Sequence, residues 1–203
     1  VKDVLALEEE LAIALKAHSV RCTLMSNRGT VGIEVATGRQ ELVAFEFINQ
    51  PTMELPIFVG KDTTGTPVYK DLTKTPHILC CGATGQGKSV FINAVISSLL
   101  HSVNPIQFLM IDPKKVELTM FNDLASKWFF PINGRTGTVT EATDAIEALT
   151  VLCEEMDIRY KQLQQVKARN VVEARVKGIN IPYIVCVIDE FADLIMVGGK
   201  SIE

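Results

Sequence analysis

The sequence lacks the features that mark a secreted, a membrane-spanning or a single-strand-binding protein. Its five cysteines form no Cys-x-x-Cys pair, which is the usage of a reducing compartment and gives no sign of a disulfide framework or a zinc site. Three of them, Cys80, Cys81 and Cys186, lie in apolar runs expected to be buried strands. No apolar run approaches the ~20 residues of a membrane helix, and no signal peptide is present. Aromatic residues make up only 6% of the chain, and no aromatic ladder for stacking single-stranded bases is visible.

An excess of basic charge is missing as well. The 20 basic and 24 acidic residues leave a net charge of −4, so no global attraction to nucleic acid or to an anionic membrane is expected. Any contact with DNA would have to be local. Hydrophobic residues make up 47% of the 203 residues, which is enough for one good core and a smaller second one.

The most informative segment is residues 82–89, which match the phosphate-loop pattern G-x-x-x-x-G-K-[ST]. The glycines of this segment allow close backbone approach, so that successive N–H groups can point at phosphate oxygens. Lys88 is expected to reach the β and γ phosphates, and Ser89 to offer its hydroxyl to Mg²⁺. A helix predicted over residues 88–100 presents the positive end of its dipole to the anion. The residues predicted to contact the nucleotide are Gly82, Ala83, Thr84, Gly85, Gln86, Gly87, Lys88, Ser89 and Val90.

A second motif supports the first. The apolar run at residues 183–188 ends in Asp189 and Glu190, as a buried parallel strand does when it delivers acids to its carboxyl end. This is a Walker B pattern. Asp189 would hold Mg²⁺ through water, and Glu190 would orient and polarise the attacking water, because phosphoryl transfer depends on positioning and charge neutralisation. The alternative, an acidic pair that only caps the next turn, is disfavoured by the phosphate loop. The pattern thus predicts a nucleoside triphosphate site with Lys88 and Glu190 as catalytic residues.

The first fifty residues predict a small α+β domain. Apolar residues at helical spacing predict an amphipathic helix over residues 3–18. Alternating stretches separated by turn signals then predict a small antiparallel sheet. The predicted strands cover 20–24, 31–35 and 42–45, with turns at Asn27, Arg28, Gly29 and Gly38. An aperiodic stretch with two prolines at 49–56 indicates a domain boundary, so that the domains are 1–50 and 51–203.

From residue 57 onward strands and helices alternate, which predicts an α/β domain with a parallel sheet covered by helices on both faces. The predicted strands are 57–59, 68–69, 78–81, 106–111 and 183–188, and the predicted helices are 88–100 and 141–165. One apolar stripe of the longer helix is expected to pack on the sheet. Its members are Ile146, Leu149, Leu152, Met156, Tyr160 and Leu163.

Two segments allow more than one interpretation. Asp112 follows a predicted strand at the edge where α/β proteins bind ligands, and it would either support the metal or the water or start a structural Asp-Pro turn. Residues 159–177 carry six basic residues against one acidic residue, Glu173. This segment would either contact DNA phosphates or form a solvated helix face followed by a surface loop, and the second interpretation is favoured.

Beyond the two nucleotide motifs, the chain carries short motifs whose order and spacing are specific to one family. They are 75–79 (Thr-Pro-His-Ile-Leu), Asn93, 110–114 (Met-Ile-Asp-Pro-Lys) with Glu117 and Leu118, 155–160 (Glu-Met-Asp-x-Arg-Tyr), Arg169 with Asn170, and 188–194 (Ile-Asp-Glu-Phe-Ala-Asp-Leu). With these motifs the chain resembles the FtsK/SpoIIIE family of DNA translocases. The first fifty residues resemble the small α domain that precedes the RecA-like P-loop β domain of that family, so the resemblance spans nearly the whole chain.

The resemblance implies a hexameric ring ATPase that moves double-stranded DNA, with ATP and Mg²⁺ held between neighbouring subunits. It also implies a cytoplasmic motor tethered to the bacterial inner membrane through an N-terminal region that this chain does not contain. Gln86 stands where many members have serine, at a surface-facing position where the change is expected to be harmless.

The family's later elements are not found in this sequence. In the family, further strands, a nucleotide-sensing Thr-Gln-Arg-Pro segment, DNA-facing loops and a winged-helix γ domain follow the Asp-Glu strand. We therefore expect a RecA-like domain truncated after the Walker B strand. Such a fragment is expected to bind nucleotide and can fail to turn it over.

Three functions are compatible with these observations. The favoured one is an ATP-driven double-stranded DNA translocase that acts in chromosome segregation, cell division or DNA transfer. The second keeps the ATPase and changes its task to protein secretion or conjugative coupling. The third is a non-enzymatic assembly module in which bound ATP holds subunits together. The intact Lys88, Ser89, Asp189 and Glu190 argue against the third, because a scaffold does not need a water-polarising acid.

Overall fold

The computed structural model describes residues 6–25, 29–36, 42–48, 50, 52–83 and 85–198. The chain divides into two compact units, which are described separately below. The first contains Val1–Glu46 and Phe58–Tyr69, and the second contains Phe47–Ile57 and Lys70–Glu203. The predicted domain boundary near residue 50 stays a prediction.

The first unit begins with helix α1 (Glu8–Ala14), followed by strands β1 (Val20–Met25) and β2 (Thr30–Val35). The two strands are antiparallel, and Val20 lies opposite Val35. The Glu8 carboxylate accepts a 2.6 Å hydrogen bond from the backbone N–H of Cys22, which ties the helix to β1. Helix α1 is shorter than the predicted helix, because the left-handed backbone of Lys16 (φ 50°) cannot continue it. Residues 3–5 and the turn residues Asn27, Arg28 and Gly38 lie outside the described residues, whereas Gly29 is found in the turn before β2.

Residues 42–45 form no strand, so the prediction of a third strand there was wrong. The side chain of Leu42 is 97% exposed. This segment is held by side chains rather than by a backbone ladder. The ring of Phe45 meets that of Phe58 edge to face at 5.8 Å, and Tyr69 donates a 2.6 Å hydrogen bond to the carbonyl oxygen of Glu46. Alternating hydrophobicity is therefore not sufficient for a strand, because a strand also requires a partner for its backbone groups.

Two paired strands, β3 (Pro56–Lys61) and β4 (Pro67–Asp71), follow, and the sheet of the second unit begins with β5 (Ile106–Ile111). Strand β6 (Tyr183–Ile188) pairs with β5 in parallel, with Ile106 opposite Tyr183. Two short extended segments also join β5 through backbone bonds from Phe130 to Phe108 and from Val139 to Met110, each 2.8 Å long. Strand β5 is therefore hydrogen-bonded to β6 and to both of these segments.

Helices cover both faces of β5. The helices described in this unit are α2 (Lys88–Leu100), α3 (Ala142–Gln165), α4 (Val171–Val176) and α5 (Phe191–Gly198), and two 3₁₀ turns cover Thr119–Asp123 and Ser126–Trp128. Because side chains alternate along a strand, β5 supplies two separate cores. Phe108 and Met110 pack with α2, whereas Leu109 and Ile111 pack with the start of α3 and with Leu194 of α5.

Residues 78–81 do not form the predicted buried strand before the phosphate loop. Ile78 is 46% exposed and Leu79 81% exposed, and Cys81 is exposed too. No backbone hydrogen bond joins this segment to a strand anywhere in the described part of the chain. A parallel strand needs partners for its N–H and C=O groups, and β6 does not provide them here. Cys186, by contrast, does lie in β6, where burial raises the pKa of its thiol to about 11.

The predicted stripe of α3 packs against the core of the sheet through Leu149 and Leu152, which lie in the first half of the helix. The fully buried residues of the helix are Ala145 and Ala148, and Leu149 and Leu152 pack beside them. Met156 and Tyr160 are 48% and 60% exposed. The 24 residues of α3 span about 36 Å, whereas the six residues of β5 span about 20 Å, so the helix extends past the sheet. Within the described ranges, no helix is both long enough and apolar enough to cross a membrane.

Candidate nucleotide-binding site

The phosphate loop curls tightly into the start of α2. Gly85 and Gly87 have φ angles of 78° and 88°, in the left-handed region that favours glycine. Gly87 is the residue before the helix, and its carbonyl oxygen accepts the helix bond of Phe91 at 2.9 Å. Gly82 has no such φ, and a Cβ there would meet only the Cβ of Gln86 at 3.7 Å. The predicted contact residue Thr84 lies outside the described residues.

The two nucleotide motifs meet through a salt bridge. Lys88 Nζ lies 2.8 Å from Asp189 Oδ1, across 101 residues of sequence. Asp189 is 2% exposed, and its backbone N–H donates to the carbonyl oxygen of Ile111, the last residue of β5. The hydrogen bond to Asp189 raises the pKa of Lys88, although partial desolvation works in the opposite direction. The sheet therefore brings the loop lysine and the Walker B aspartate into direct contact.

Glu190 is held in an unusual backbone conformation directly after β6. Its φ is 56°, a region that non-glycine residues seldom adopt and that is found at functional sites. Its Oε2 lies 3.2 Å from the ammonium of Lys114 and 3.7 Å from that of Lys88. The bond from Lys114, and then the charges of both lysines, lower the pKa of Glu190. The side chain is thus kept as a carboxylate, the form that can polarise a water.

The hydroxyl of Ser89 has a partner that the sequence did not indicate. Its Oγ donates a 2.5 Å hydrogen bond to Glu117 Oε1. Glu117 lies in the turn after β5, where the fully buried Asp112 accepts hydrogen bonds from the backbone N–H groups of Glu117 and Leu118. Both bonds are to Oδ2, whereas Asp112 Oδ1 is buried without a hydrogen-bond partner among the described residues. Both interpretations of Asp112 therefore stay predictions. The turn carries two charged side chains, Lys114 and Glu117, that reach the two nucleotide motifs.

The residues present fit a magnesium-bound nucleotide. Mg²⁺ prefers oxygen ligands and usually takes only one or two of them from the protein, with phosphates and waters supplying the rest. The Ser89 hydroxyl and the Asp189 carboxylate provide such oxygens beside the phosphate loop. The left-handed glycines and the start of α2 form a backbone cradle suited to an anion. Binding would give Lys88 phosphate oxygens as new partners in place of Asp189.

The basic segment 159–177 is partly occupied by internal contacts. Arg159 bonds to Glu155 and to the carbonyl oxygen of Pro182, and Arg175 bonds to Glu54 and Asn104. Lys177 donates to two backbone carbonyl oxygens. The remaining basic side chains, which have no hydrogen bond or ion pair to any described residue, are Lys161, Lys167 and Arg169. Half of the cations that could have contacted DNA therefore have structural partners.

This arrangement of a glycine loop, a following helix and an acidic strand end defines an α/β P-loop ATPase fold. Two solved structures share it. The pCW3 conjugation coupling protein TcpA, in a monomer form with ATPγS, superposes with a TM-score of 0.60 at 23% identity, over 98% of this chain and 54% of that one. The cytoplasmic domain of the Thermomonospora curvata Type VII secretion ATPase EccC gives a TM-score of 0.55 at 22% identity, over 77% of this chain and 20% of that one.

Sequence comparisons identify the family. The FtsK/SpoIIIE family pattern matches residues 41–180. The DNA translocase FtsK of Treponema pallidum is 38% identical over 97% of this chain and 26% of its own length, and that of Haemophilus influenzae is 35% identical over 98% and 44%. The chain belongs to the FtsK/SpoIIIE family. It spans 26% of the length of the Treponema pallidum protein and 44% of the length of the Haemophilus influenzae protein.

Proposed function

We propose that this chain is the nucleotide-binding part of an ATP-driven motor that moves double-stranded DNA. The observation that carries the proposal is the 2.8 Å contact between Lys88 and Asp189, which unites the phosphate loop and the Walker B acid in one site. Relatives that are 35–38% identical over nearly the whole chain have the name DNA translocase FtsK, which supports DNA as the substrate of the motor.

Each residue of the site has a proposed role. Lys88 releases Asp189 and binds the β and γ phosphates, while the backbone of residues 82–90 holds the phosphate chain. Ser89 and Asp189 hold Mg²⁺, Ser89 directly and Asp189 through water. The metal, when bound, neutralises charge on the phosphates. Glu190, kept ionised by Lys114, orients and polarises the attacking water.

The arrangement of the whole protein is proposed from the family resemblance. We propose a ring of six copies with the nucleotide between neighbours, and a small domain over 1–50 before the ATPase domain over 51–203. We also propose a cytoplasmic motor that an N-terminal region, outside this chain, attaches to the bacterial inner membrane. The chromosome or a transferred DNA molecule would be the cargo.

The decisive experiment is ATP turnover with and without linear double-stranded DNA, measured on this chain and on a longer version that extends past Glu203. Strong stimulation by DNA in the longer version would support the proposal. Nucleotide-dependent assembly without any turnover in either protein would instead indicate a scaffold. The short chain serves as the control for DNA contacts that require the additional residues.

A second function is a motor for protein secretion or conjugative coupling. It is favoured by the fold likeness to a conjugation coupling protein and to a secretion ATPase, and by the net charge of −4, which offers no general attraction to DNA. Robust turnover that is indifferent to DNA would shift the assignment to protein secretion. The dependence of turnover on DNA therefore separates a DNA motor from a protein-secretion motor.

A further inference from the structure

The turn that follows β5 contacts both nucleotide motifs, although neither motif pattern includes it. At one end, the Lys114 ammonium lies 3.2 Å from Glu190 and 3.4 Å from Asp193. At the other end, Glu117 accepts the hydroxyl proton of Ser89 at 2.5 Å. The second contact bears directly on metal binding, because Ser89 is the residue whose oxygen is expected to hold the metal.

A serine hydroxyl has one proton to donate and two lone pairs that can accept. When the proton is directed to a fixed carboxylate, the lone pairs point elsewhere and are available to a cation. In this structure the Ser89 hydroxyl donates to Glu117, whereas the Walker B acid Asp189 is paired with Lys88 through Oδ1. Glu117 is the carboxylate bonded to the Ser89 hydroxyl in the described structure. The negative charge of Glu117, which is hydrogen-bonded to Ser89, also favours a divalent cation electrostatically.

The position of Glu117 is set by a buried anchor. The backbone N–H groups of Glu117 and Leu118 donate to Asp112 Oδ2 at 3.0 and 2.9 Å, and Asp112 is 0% exposed. Asp112 in turn is fixed at the end of β5 by its backbone bond to Val139 at 2.8 Å. The carboxylate of Glu117 is therefore presented to Ser89 by the core of the sheet, rather than by a freely moving surface loop.

We propose that Glu117 is a positioning residue that raises the affinity of the nucleotide site for Mg²⁺ by orienting the Ser89 hydroxyl. This inference rests on the proposed function, because it requires that Ser89 holds the metal of a bound nucleotide. Glu117 does not contact the phosphates in this scheme. Its removal should weaken metal binding while leaving the phosphate-loop cradle and Lys88 in place.

The test is a Mg²⁺ titration of nucleotide binding, read by the fluorescence of a labelled non-hydrolysable analogue, mant-AMPPNP. The variants are Glu117→Ala, which removes the acceptor and the charge, and Glu117→Gln, which retains an oxygen acceptor and removes the charge. The matched control is Glu141→Gln, which removes the same charge from a different ion pair, the one that Glu141 forms with Lys115 of this turn. Circular dichroism establishes that each variant is folded.

For Glu117→Ala we expect the Mg²⁺ concentration at half-maximal binding to rise about tenfold or more, the usual effect of losing a residue that orients a metal ligand. Binding of the analogue without Mg²⁺ should stay at the wild-type level. Glu117→Gln should lie between Glu117→Ala and the wild type, and Glu141→Gln should match the wild type. A merely structural role of Glu117 would weaken binding equally with and without the metal, and that result would overturn the proposal.

The outcomes also separate this inference from the proposed function. If the wild type needs Mg²⁺ to bind the analogue and both Glu117 variants have the same requirement, only the inference fails. A lower Mg²⁺ requirement in the variants would overturn it too, since Glu117 would then be withholding Ser89 from the metal. If the wild type binds no analogue at any Mg²⁺ concentration, the proposed function fails and the inference with it. Should Glu117→Ala not fold, the Glu117→Gln titration decides by the same criteria.

Discussion

At the scale of single residues, the proposed function requires the ammonium of Lys88 to change partners when a nucleotide binds. It is paired with Asp189 in this structure, and that bond raises its pKa, so it is a full cation at any physiological pH. Phosphate oxygens offer it a denser negative charge than one carboxylate. In the proposed scheme the same lysine pairs with Asp189 here and binds phosphate when a nucleotide is present.

Replacing Lys88 with alanine should abolish tight nucleotide binding. The loss of one or two charge-assisted hydrogen bonds, each worth about 1.5–3 kcal/mol, corresponds to an affinity loss of about tenfold to about 20,000-fold. Isothermal titration calorimetry with Mg²⁺ and an ATP analogue measures it. Lys161→Ala, which removes an exposed lysine of α3, is the control. An unchanged affinity in Lys88→Ala would disprove the phosphate-loop assignment.

Replacing Glu190 with glutamine should leave binding intact and reduce turnover about 100-fold or more, the usual contribution of a general base. Glutamine has nearly the same shape and can still contact Lys114, but it cannot accept a proton from water. The rate is measured as ATP turnover in a version of the chain that hydrolyses ATP. The nucleotide affinity is measured by calorimetry. Asp157→Asn, an exposed acid of α3, is the control. Persistent turnover would mean that another residue is the base.

Not every residue of the site could be predicted from its own motif. Lys88, Ser89, Asp189 and Glu190 follow fixed spacings, because loop, strand and helix geometry places them regardless of the rest of the fold. Glu117 bonds to a hydroxyl 28 residues earlier in the chain. Its only signal was its place in the family motif with Leu118, which gave it no role. The roles of all these residues stay predictions until the variants are measured.

At the scale of secondary-structure elements, the end of β4 is joined to the segment before β3 through one carboxylate. Asp71 accepts hydrogen bonds from the backbone N–H groups of Glu54, Leu55 and Thr73 and from the Thr73 hydroxyl. Burial on its own would raise the pKa of Asp71, but these hydrogen bonds outweigh it and lower the pKa. The ionised form is therefore the one that stabilises this junction.

Asp71→Asn should lower the free energy of unfolding by about 1–3 kcal/mol at pH 7, because an amide replaces a charged acceptor of several N–H groups. A lowered folded-state pKa means that the stabilisation is present above the ordinary aspartate pKa of about 3.9 and is lost as pH falls through the folded value. The difference in the free energy of unfolding between wild type and variant, measured by urea denaturation, should thus shrink below about pH 4. Asp157→Asn should show no such difference. An equal difference at pH 7 and at pH 3 would contradict the assignment.

The elements also show that an apolar sequence pattern does not by itself predict a strand. Strands β5 and β6 and helix α2 have the bounds that the pattern predicted, because each buries its apolar side chains against others in the chain. Residues 78–81 have an equally apolar pattern but no strand partner among the described residues, and they lie exposed. A strand is defined by its neighbours' backbone groups, and a local sequence pattern does not contain that information.

At the scale of the whole molecule, the second unit depends on one strand that serves two cores. Phe108 of β5 is 0% exposed and packs in the cluster that includes Ile96 and Leu99 of α2. Phe108→Ala should lower the free energy of unfolding by about 3–5 kcal/mol, a large share of the total of about 5–15 kcal/mol for a domain. Chemical denaturation measures it, with Val176→Ala, whose side chain is 85% exposed, as the control. A loss below about 1 kcal/mol would show that the cluster does not carry the stability of this unit.

The sequence by itself determined the α/β P-loop class and the membership of the FtsK/SpoIIIE family, because these depend on short motifs whose residues are adjacent in the chain. It also determined which acids and which lysine were candidates for the nucleotide. Only the tertiary structure decided that Lys88 pairs with Asp189, that Lys114 lowers the pKa of Glu190, and that Glu117 takes the proton of Ser89. These contacts arise when β5 and β6 bring the ends of distant segments to one edge of the sheet, and distances across a folded sheet are not encoded in any local spacing.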